Sequence, residues 1–319
     1  MSLIADTAAA AVRARARIRP HIYETPLIPS RTLQLDGPGG LFFKAENFQK
    51  TGSFKIRGAT AKMTAIHGDQ GLITASSGNH GIASSMAAAQ VGRSLTVVLP
   101  TTVAQAKLDK IRSFGVDVIL HGAESGAAEA HAQDLAHSRN LFYVSPYNDA
   151  DVIAGQGSIG LELLDQNAQI DNVFVSMGGG GLISGIGAVL KAFSPRTRII
   201  GVAAQNSAAL AAAMQAGRVV EVDHFDTLAD GVAGGMDEDS LTLPLALEVI
   251  DRVLTCTEAD ITHALRHMAF SENQLVEGAA ALALAGYLQI ADEIKDQTNV
   301  VLLCGANFDT AKILSALKA

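Results

Sequence analysis

The order of strand-like and helix-like segments is the feature that most constrains how this chain can fold. Short apolar segments rich in β-branched residues recur at 72–76, 94–100, 116–121, 142–145, 172–177, 198–204, 252–257 and 299–307. Alanine-rich stretches with helical spacing separate most of them. The strand-like segments show no clean alternation of apolar and polar residues, which is typical of parallel strands buried on both faces. The sequence therefore predicts an α/β fold built from right-handed βαβ units in a doubly wound sheet.

Unusual residues follow three of these strand-like segments directly. Serines and an asparagine follow 72–75, a glycine run follows 172–177, and Cys-Gly-Ala-Asn occupies 304–307. In doubly wound sheets, ligands bind outside the carboxyl ends of the strands. We therefore expect the functional site where these three segments end.

The glycine run joins a strand-like segment to a helix-like one, and it consists of Gly178, Gly179, Gly180 and Gly181. Without side chains, backbone N–H groups can approach an anion closely, and the helix start that follows favours negative charge. A tight turn is the simpler alternative. The dinucleotide pattern fails because Ile183 stands where its last glycine would be, and the Gly-Lys-Ser/Thr of a nucleotide-binding loop does not occur. The run is therefore interpreted as a cradle for the phosphate of a small cofactor.

Lys55 lies in the segment TGSFKIRGA (51–59), at the predicted start of a helix, where a cation is disfavoured. A lysine amine can form a Schiff base with an aldehyde, and pyridoxal phosphate (PLP) is both an aldehyde and a phosphate. Phe54 could lie against a planar ring. Most lysines are solvated surface groups. The combination with a phosphate cradle nevertheless favours a cofactor-bearing role for Lys55.

The segment Ser76-Ser77-Gly78-Asn79-His80 ends one strand and opens a helix. Hydroxyl groups, an amide and helix-start N–H groups suit a carboxylate ligand. A single capping residue would satisfy an ordinary helix start, so the segment exceeds what capping needs. We expect it to bind the carboxylate of a substrate, although His80 alone would more often be structural than catalytic.

Four motifs occur in order: S-F-K-I-R-G, S-S-G-N-H-G, G-G-G-G-L and C-G-A-N. Together with YETPL (23–27), VIAGQGSIGLE (152–162) and ADGVAGG (229–235), they extend over essentially the whole chain. The sequence resembles the fold-type II PLP enzymes, which are tryptophan synthase β-like, and within them the serine/threonine dehydratase and serine racemase group. The resemblance implies an α/β fold with two doubly wound open sheets.

The resemblance also implies which residues would contact the cofactor. Lys55 would bond covalently to PLP, with Phe54 on one face of the ring and Gly231 approaching the other. Asn79 would hydrogen-bond the ring hydroxyl, and Cys304 would face the ring nitrogen. The phosphate would be bound by Gly178, Gly179, Gly180, Gly181 and Leu182.

For the substrate, the resemblance implies a carboxylate site formed by Ser76, Ser77, Gly78, Asn79 and His80. Ser77 would lie on the face of the ring opposite Lys55, where racemases of the group use a serine as a second acid or base. The implied reaction is β-elimination from a 3-hydroxy amino acid, which could be serine, threonine, or a larger or acidic one. The products would be a 2-oxo acid and ammonia. An amino acid racemase and a non-catalytic PLP- or amino acid-binding protein are the alternatives.

The domain organisation implied by the resemblance has two parts. Residues 1–70 and 149–319 would form a large PLP-binding domain, and residues 71–148 a small mobile one. Closure of the small domain over the substrate would exclude water from the reaction.

Three stretches depart from the resemblance. The segment AAQNSAALA (203–211) has Gln205 and no carboxylate where relatives with a divalent-cation site have acids, so we expect no metal site there. Gly278, rather than proline, follows Glu277. The segment 234–245 differs from that of threonine dehydratases, which leaves the substrate open.

Charge and composition exclude some partners. The net charge is −8 without a basic block, which argues against nucleic acid and anionic membranes. The arginines at 13, 15, 17 and 19 are assigned to a helix begun by Asp6 or Thr7, rather than to a transit peptide, because the stretch lacks serines. Two cysteines and no signal peptide predict a cytoplasmic protein. We expect a homodimer that acts on a small amino acid.

Overall fold

The computed structural model describes residues 2–33 and 39–318. The strands in these residues are β1 (Leu27–Pro29), β2 (Gly40–Lys44), β3 (Leu72–Ala75), β4 (Leu95–Leu99), β5 (Asp117–Leu120), β6 (Phe142–Tyr143), β7 (Asn172–Ser176), β8 (Arg198–Ala204), β9 (Arg252–Cys256) and β10 (Thr298–Leu302). The helices are α1 (Leu3–Ile18), α2 (Lys55–Ala65), α3 (Asn79–Val91), α4 (Gln105–Arg112), α5 (Ser125–Ser138), α6 (Ala150–Gln166), α7 (Gly181–Phe193), α8 (Ala209–Ala216), α9 (Thr242–Val249), α10 (Glu258–Phe270), α11 (Gly278–Ile290) and α12 (Thr310–Lys318).

The strands form two sheets. The larger sheet has the order β1-β2-β10-β7-β8-β9, and the smaller has the order β5-β4-β3-β6. All neighbours run parallel except β1, which pairs antiparallel with β2 at an edge. Because parallel neighbours need crossover connections, helices alternate with strands along the chain. The predicted α/β fold with two doubly wound open sheets is confirmed.

The centre of the larger sheet is covered on both faces. All five residues of β7 are buried, and so are all residues of β8 after Arg198. This explains why the strands lack an alternating pattern. Helix α11 packs on β7, β8 and β10, and its alanines and glycines allow close approach.

Each of the eight predicted strand segments contains a strand, but β1 and β2 were not predicted. Strand β1 has only three residues and ends in Pro29, so it carries little sequence signal. Strand β2 ends in the buried charge of Lys44, which is atypical of a strand interior. The segment 142–145 forms only a two-residue strand, Phe142–Tyr143.

The arginine-rich stretch forms helix α1, but the predicted start at Asp6 or Thr7 was wrong. The helix begins at Leu3, because the Ser2 hydroxyl accepts a hydrogen bond from the Ala5 N–H at 3.2 Å and caps the helix. Its buried residues are Ala8, Ala11, Ala14 and Ile18, which recur at helical spacing. Helix α1 packs on α6 and α7, so this stretch is part of the fold.

A buried ion network joins α2 to the larger sheet. The Arg57 guanidinium donates to both oxygens of Glu46, each at 2.8 Å, and to the two oxygens of Glu162 at 2.6 and 2.8 Å. Lys44 Nζ donates to Glu162 at 2.6 Å and to the Thr25 carbonyl at 2.7 Å. The two cations and two carboxylates balance in charge, so the network fixes the helix that begins at Lys55 without a net buried charge.

Glu162 depends on its two cationic partners for its ionised form. Burial works to raise the pKa of Glu162, but Arg57 and then Lys44 outweigh it, and the pKa lies below the ordinary value of 4.5. Since the folded-state pKa is lowered, the stabilisation is present above the unfolded pKa. It is lost as the pH falls through the folded value.

We predict that Glu162→Gln lowers the free energy of unfolding by about 3–5 kcal/mol at pH 7, since it leaves Arg57 and Lys44 with buried, undercompensated charge. The difference from the native chain should shrink in acid, below about pH 4.5. Asp165→Asn is the matched control, because that exposed carboxylate pairs with Arg15 at 2.5 Å and is worth less than about 1 kcal/mol. Urea unfolding at several pH values measures both; equal effects of the two substitutions would contradict the prediction.

Candidate active site

The residues expected to bind a cofactor line one cavity between the two sheets. Most of them come from the carboxyl ends of β3, β7 and β10 and from the starts of α2, α3 and α7, and Gly231 comes from the 3-10 turn Asp230–Val232. The cavity is lined by Phe54, Lys55, Asn79, Gly178, Gly179, Gly180, Gly181, Leu182, Gly231 and Cys304. The structure thus brings all ten together around one space, in accord with the rule that ligands bind at strand ends.

The glycine run forms a concave wall that side chains would fill. A Cβ on Gly179 would lie 2.5 Å from the Tyr147 ring, and Gly180 has φ +91°, a conformation that favours glycine. Helix α7 begins at Gly181, and its first N–H groups have no partner within the helix. Open backbone donors at a helix start fit a phosphate.

Lys55 is the first residue of α2, and its amine points into the cavity. Nζ donates to the Pro146 carbonyl at 2.8 Å and lies 5.2 Å from the centre of the Phe54 ring. Burial lowers the pKa of Lys55 to about 8, against the opposing effects of Cys304 and Glu277. A substantial fraction of the amine is therefore neutral near pH 8, as nucleophilic attack on an aldehyde requires.

Asn79 is oriented by groups on the larger sheet. Its amide Nδ2 donates to the two oxygens of Glu277 at 2.9 and 3.1 Å, and its Oδ1 accepts from Asn307 Nδ2 at 2.7 Å. Since both hydrogen bonds fix the same amide, they determine which end of it is the donor. Asn79 has a second amide hydrogen that could reach a ring hydroxyl.

Glu277 is a buried carboxylate that also accepts the Asn307 N–H at 3.0 Å. Burial raises its pKa to about 7, although Asn79 and Asn307 work to lower it. Cys304 Sγ lies 3.9 Å from Glu277 Oε1, and burial raises the pKa of Cys304 well above its ordinary value. The cavity therefore holds a neutral thiol beside a carboxylic acid that titrates near neutral pH.

The expected carboxylate segment divides in two. Ser77, Gly78 and Asn79 line a second cleft, which shares Asn79, Gly231 and Glu277 with the first cavity and is not lined by Lys55. The Ser76 hydroxyl accepts from the Gly78 N–H at 3.2 Å and so shapes the turn. These groups present hydroxyls and helix-start N–H groups to the cleft, which suits a carboxylate.

His80 has its side chain turned into the protein. Its Nε2 lies 3.0 Å from Thr74 Oγ1 and 2.9 Å from the Val144 carbonyl. Burial, reinforced by Lys55, lowers the pKa of His80 to about 3, so the ring is neutral. Any contact that His80 makes with a substrate is therefore through its backbone, and its ring joins α3 to the smaller sheet.

Sequence reasoning missed two functional candidates. Tyr147 closes the cavity over Gly179, and it follows β6 without any motif to mark it. Glu277 was noted only for the glycine after it, and it is the N-cap residue of α11. A lone glutamate before a long alanine-rich segment was the only available signal, because its partners are 198 and 30 residues away.

Within residues 2–33 and 39–318, no three His, Cys, Asp or Glu side chains are grouped to bind a metal ion. That there is no divalent-cation site stays a prediction. In the same residues, no helix has the length and hydropathy to cross a membrane.

Comparison with known proteins identifies the family. The profile of the family described as "Pyridoxal-phosphate dependent enzyme" matches residues 18–305. The chain belongs to this family and is a PLP-dependent enzyme of fold type II, which confirms the predicted cofactor. The lysine amine, the oriented amide, the thiol and the glycine cradle all fit that group.

Individual relatives share most of the chain. A biosynthetic L-threonine dehydratase of Pasteurella multocida (strain Pm70) is 38% identical over 282 residues, which are 86% of this chain and 55% of that protein. The processed form of threonine deaminase isoform 2 from Solanum lycopersicum superimposes with a TM-score of 0.93 at 32% identity, covering 98% of this chain and 88% of the other. Maize serine racemase superimposes with a TM-score of 0.88 at 29% sequence identity, covering 97% of this chain and 96% of the other.

We predict that PLP is attached to Lys55. Borohydride reduction of the PLP-loaded protein should fix the label on the peptide that contains Lys55, and Lys55→Ala should abolish both the label and the visible absorbance. Turnover should fall at least about a hundredfold, because the amine also handles the substrate proton. Lys50→Ala, in the same segment, is the control and should retain the label on Lys55. A label elsewhere would refute the assignment.

We also predict that Glu277 makes the cofactor-free protein less stable as the pH rises. Because its folded pKa is raised above the unfolded value of 4.5, its favourable contribution is lost between about pH 4.5 and 7. Glu277→Gln should remove roughly 1–3 kcal/mol of this pH dependence. Glu272→Gln is the control, since that buried carboxylate has a lowered pKa and is already ionised there. Urea unfolding at pH 5 and pH 8 gives the change in the free energy of unfolding between these two pH values for each variant. If Glu277→Gln shows the same change as the native chain, the prediction is wrong.

Proposed function

We propose that this enzyme eliminates the β-hydroxyl group of a 3-hydroxy amino acid and releases a 2-oxo acid and ammonia. The observation that carries the proposal is the Lys55 amine, with a pKa of about 8, at the mouth of a glycine cradle. The names of the dehydratase and deaminase relatives support it. Bound PLP supplies electron withdrawal from the Cα–H bond of the attached substrate.

The protein's own groups then move the protons. Once its amine is free, Lys55 would accept the proton from Cα, and its lowered pKa suits it to exchange that proton near neutral pH. The C–O bond at Cβ breaks, and the hydroxyl leaves as water with the proton that the Lys55 amine accepted from Cα. The enamine product tautomerises to an imine, and water converts it into the 2-oxo acid and ammonia.

The substrate carboxylate is assigned to the turn that opens α3. The turn consists of Ser76, Ser77, Gly78, Asn79 and the backbone of His80. The Ser77 hydroxyl and the N–H groups of Asn79 and His80 at the helix start would be its donors, because the Gly78 N–H already donates to the Ser76 hydroxyl. The segment 71–148, which contains the smaller sheet, carries this turn, and its movement toward the rest of the chain would exclude water. The two-domain division at residues 71 and 148 is part of the proposal.

Cys304 favours elimination over racemisation. Its thiol is neutral, so it offers a ring nitrogen no charged partner of the kind that a carboxylate would provide. Negative charge that develops at Cα is then weakly stabilised. Departure of the β-hydroxyl removes that negative charge from Cα at once. Inversion has no leaving group, so the charge must persist at Cα until a proton returns.

Racemisation is the second candidate, because a maize serine racemase has the same fold and Ser77 is in place. Ser77 lines a cleft that shares Asn79, Gly231 and Glu277 with the cavity of Lys55, and in this alternative its hydroxyl would return a proton to the second face of Cα. A homodimer and a cytoplasmic location remain predictions.

We expect ammonia release to exceed inversion on every 3-hydroxy amino acid that the enzyme accepts. An ammonia assay and chiral chromatography on the same reaction measure the two rates. Ser77→Ala should reduce inversion more than elimination, because only inversion needs a donor on that face. If inversion outpaces 2-oxo acid formation, the enzyme is a racemase and the proposal fails.

A further inference from the structure

A second cavity of about 360 Å³ adjoins the cofactor cradle. Several residues line both cavities, among them Lys55, Tyr147, Gly178 and Gly179. The second cavity is lined in addition by Glu129 of α5 and by residues 233–237. Because it opens beside the reacting amine and not beside the carboxylate turn, it is the space available to a substrate side chain.

Two carboxylates close the far end of this cavity. Glu129 comes from α5, which packs on the smaller sheet, and Asp237 comes from the loop after the 3-10 turn Asp230–Val232. The Tyr143 hydroxyl donates to Glu129 Oε1 at 2.9 Å, and the Tyr147 hydroxyl accepts the Asp237 N–H at 2.7 Å. Each of the two acidic residues is thus positioned by a different tyrosine, Tyr143 in β6 or Tyr147 shortly after it.

The charge in this cavity is unbalanced. Among the described residues that line it, Lys55 is the only lysine or arginine, and attachment of the cofactor uses that amine. Burial raises the pKa of Glu129, and the Asp237 carboxylate raises it further. A cation bound between two carboxylates that line the same cavity would reduce their mutual repulsion.

We propose that Glu129 and Asp237 form the side-chain subsite and select 3-hydroxy amino acids that carry an ammonium group beyond Cβ. This inference rests on the proposed function, since it takes Lys55 as the reaction centre. Serine and threonine have no group that reaches the pair. An acidic side chain, such as that of 3-hydroxyaspartate, would meet two like charges and be rejected.

The test compares kcat/KM for 2,4-diamino-3-hydroxybutyrate, 3-hydroxylysine, serine, threonine and 3-hydroxyaspartate. The native enzyme should prefer a cationic substrate over serine by about tenfold or more, the size expected of a charge-assisted hydrogen bond. The double variant Glu129→Gln/Asp237→Asn should lose that ratio, and its turnover of 3-hydroxyaspartate relative to serine should rise. Glu129→Gln alone should show part of both changes.

Asp134→Asn/Glu238→Gln is the matched control. It removes two exposed carboxylates from the same helix and loop, outside the cavity, and should retain the native ratios. A native preference for serine, threonine or 3-hydroxyaspartate would overturn the inference, and so would an unchanged ratio in the Glu129/Asp237 variant.

Binding separates failure of the subsite from failure of the proposed function. If no 3-hydroxy amino acid releases ammonia, the proposed elimination is wrong. Calorimetry on the PLP-loaded enzyme with unreactive 2,4-diaminobutyrate and aspartate still tests the subsite. Tighter binding of the diamino acid, lost in the double variant, supports the subsite, and tighter binding of aspartate refutes it.

Discussion

The arrangement of this enzyme depends on the buried network of Arg57 with Glu46, Glu162 and Lys44. Removing four charges from water is costly, and only mutual pairing and hydrogen bonds offset that cost. The geometry that satisfies them is therefore narrow: the start of α2 must lie against the end of β2 and the middle of α6. Lys55 lies two residues before Arg57, so the position of its amine depends on an ion network outside the cavity.

Burial sets the protonation of the ionisable groups in the candidate active site. Burial lowers the pKa of Lys55 and raises that of Glu277, so both groups can exchange a proton near neutral pH. The neutral thiol of Cys304 lies beside them. Because Lys55 and Glu277 both titrate near neutral pH, either of them can gain or lose a proton at little cost. The neighbouring cavity differs in charge from this site. Glu129 and Asp237 make it acidic, so a cationic substrate side chain would complement it.

The sequence allowed accurate prediction wherever the physical cause was local. Strand composition predicted parallel, doubly buried strands, and the glycines at a strand end predicted a tight turn into a helix, which lines the cavity. The start of α1 was misjudged because several residues could cap it and only one, Ser2, does. Strands β1 and β2 were not predicted. Strand β1 is an edge strand of only three residues, and β2 ends in a buried lysine, so neither has the sequence pattern expected of a strand.

The sequence by itself determined the fold class and the order of the motifs, and it singled out Lys55 as a candidate, because each depends on residues close together in the chain. Only the tertiary structure decided the orientation of Asn79 by Glu277, 198 residues away, and the meeting of Glu129 with Asp237 in one cavity. It also turned the ring of His80 inward, where no local rule required it. Contacts between distant segments depend on how the two sheets pack, and packing is a property of the whole chain rather than of any short stretch.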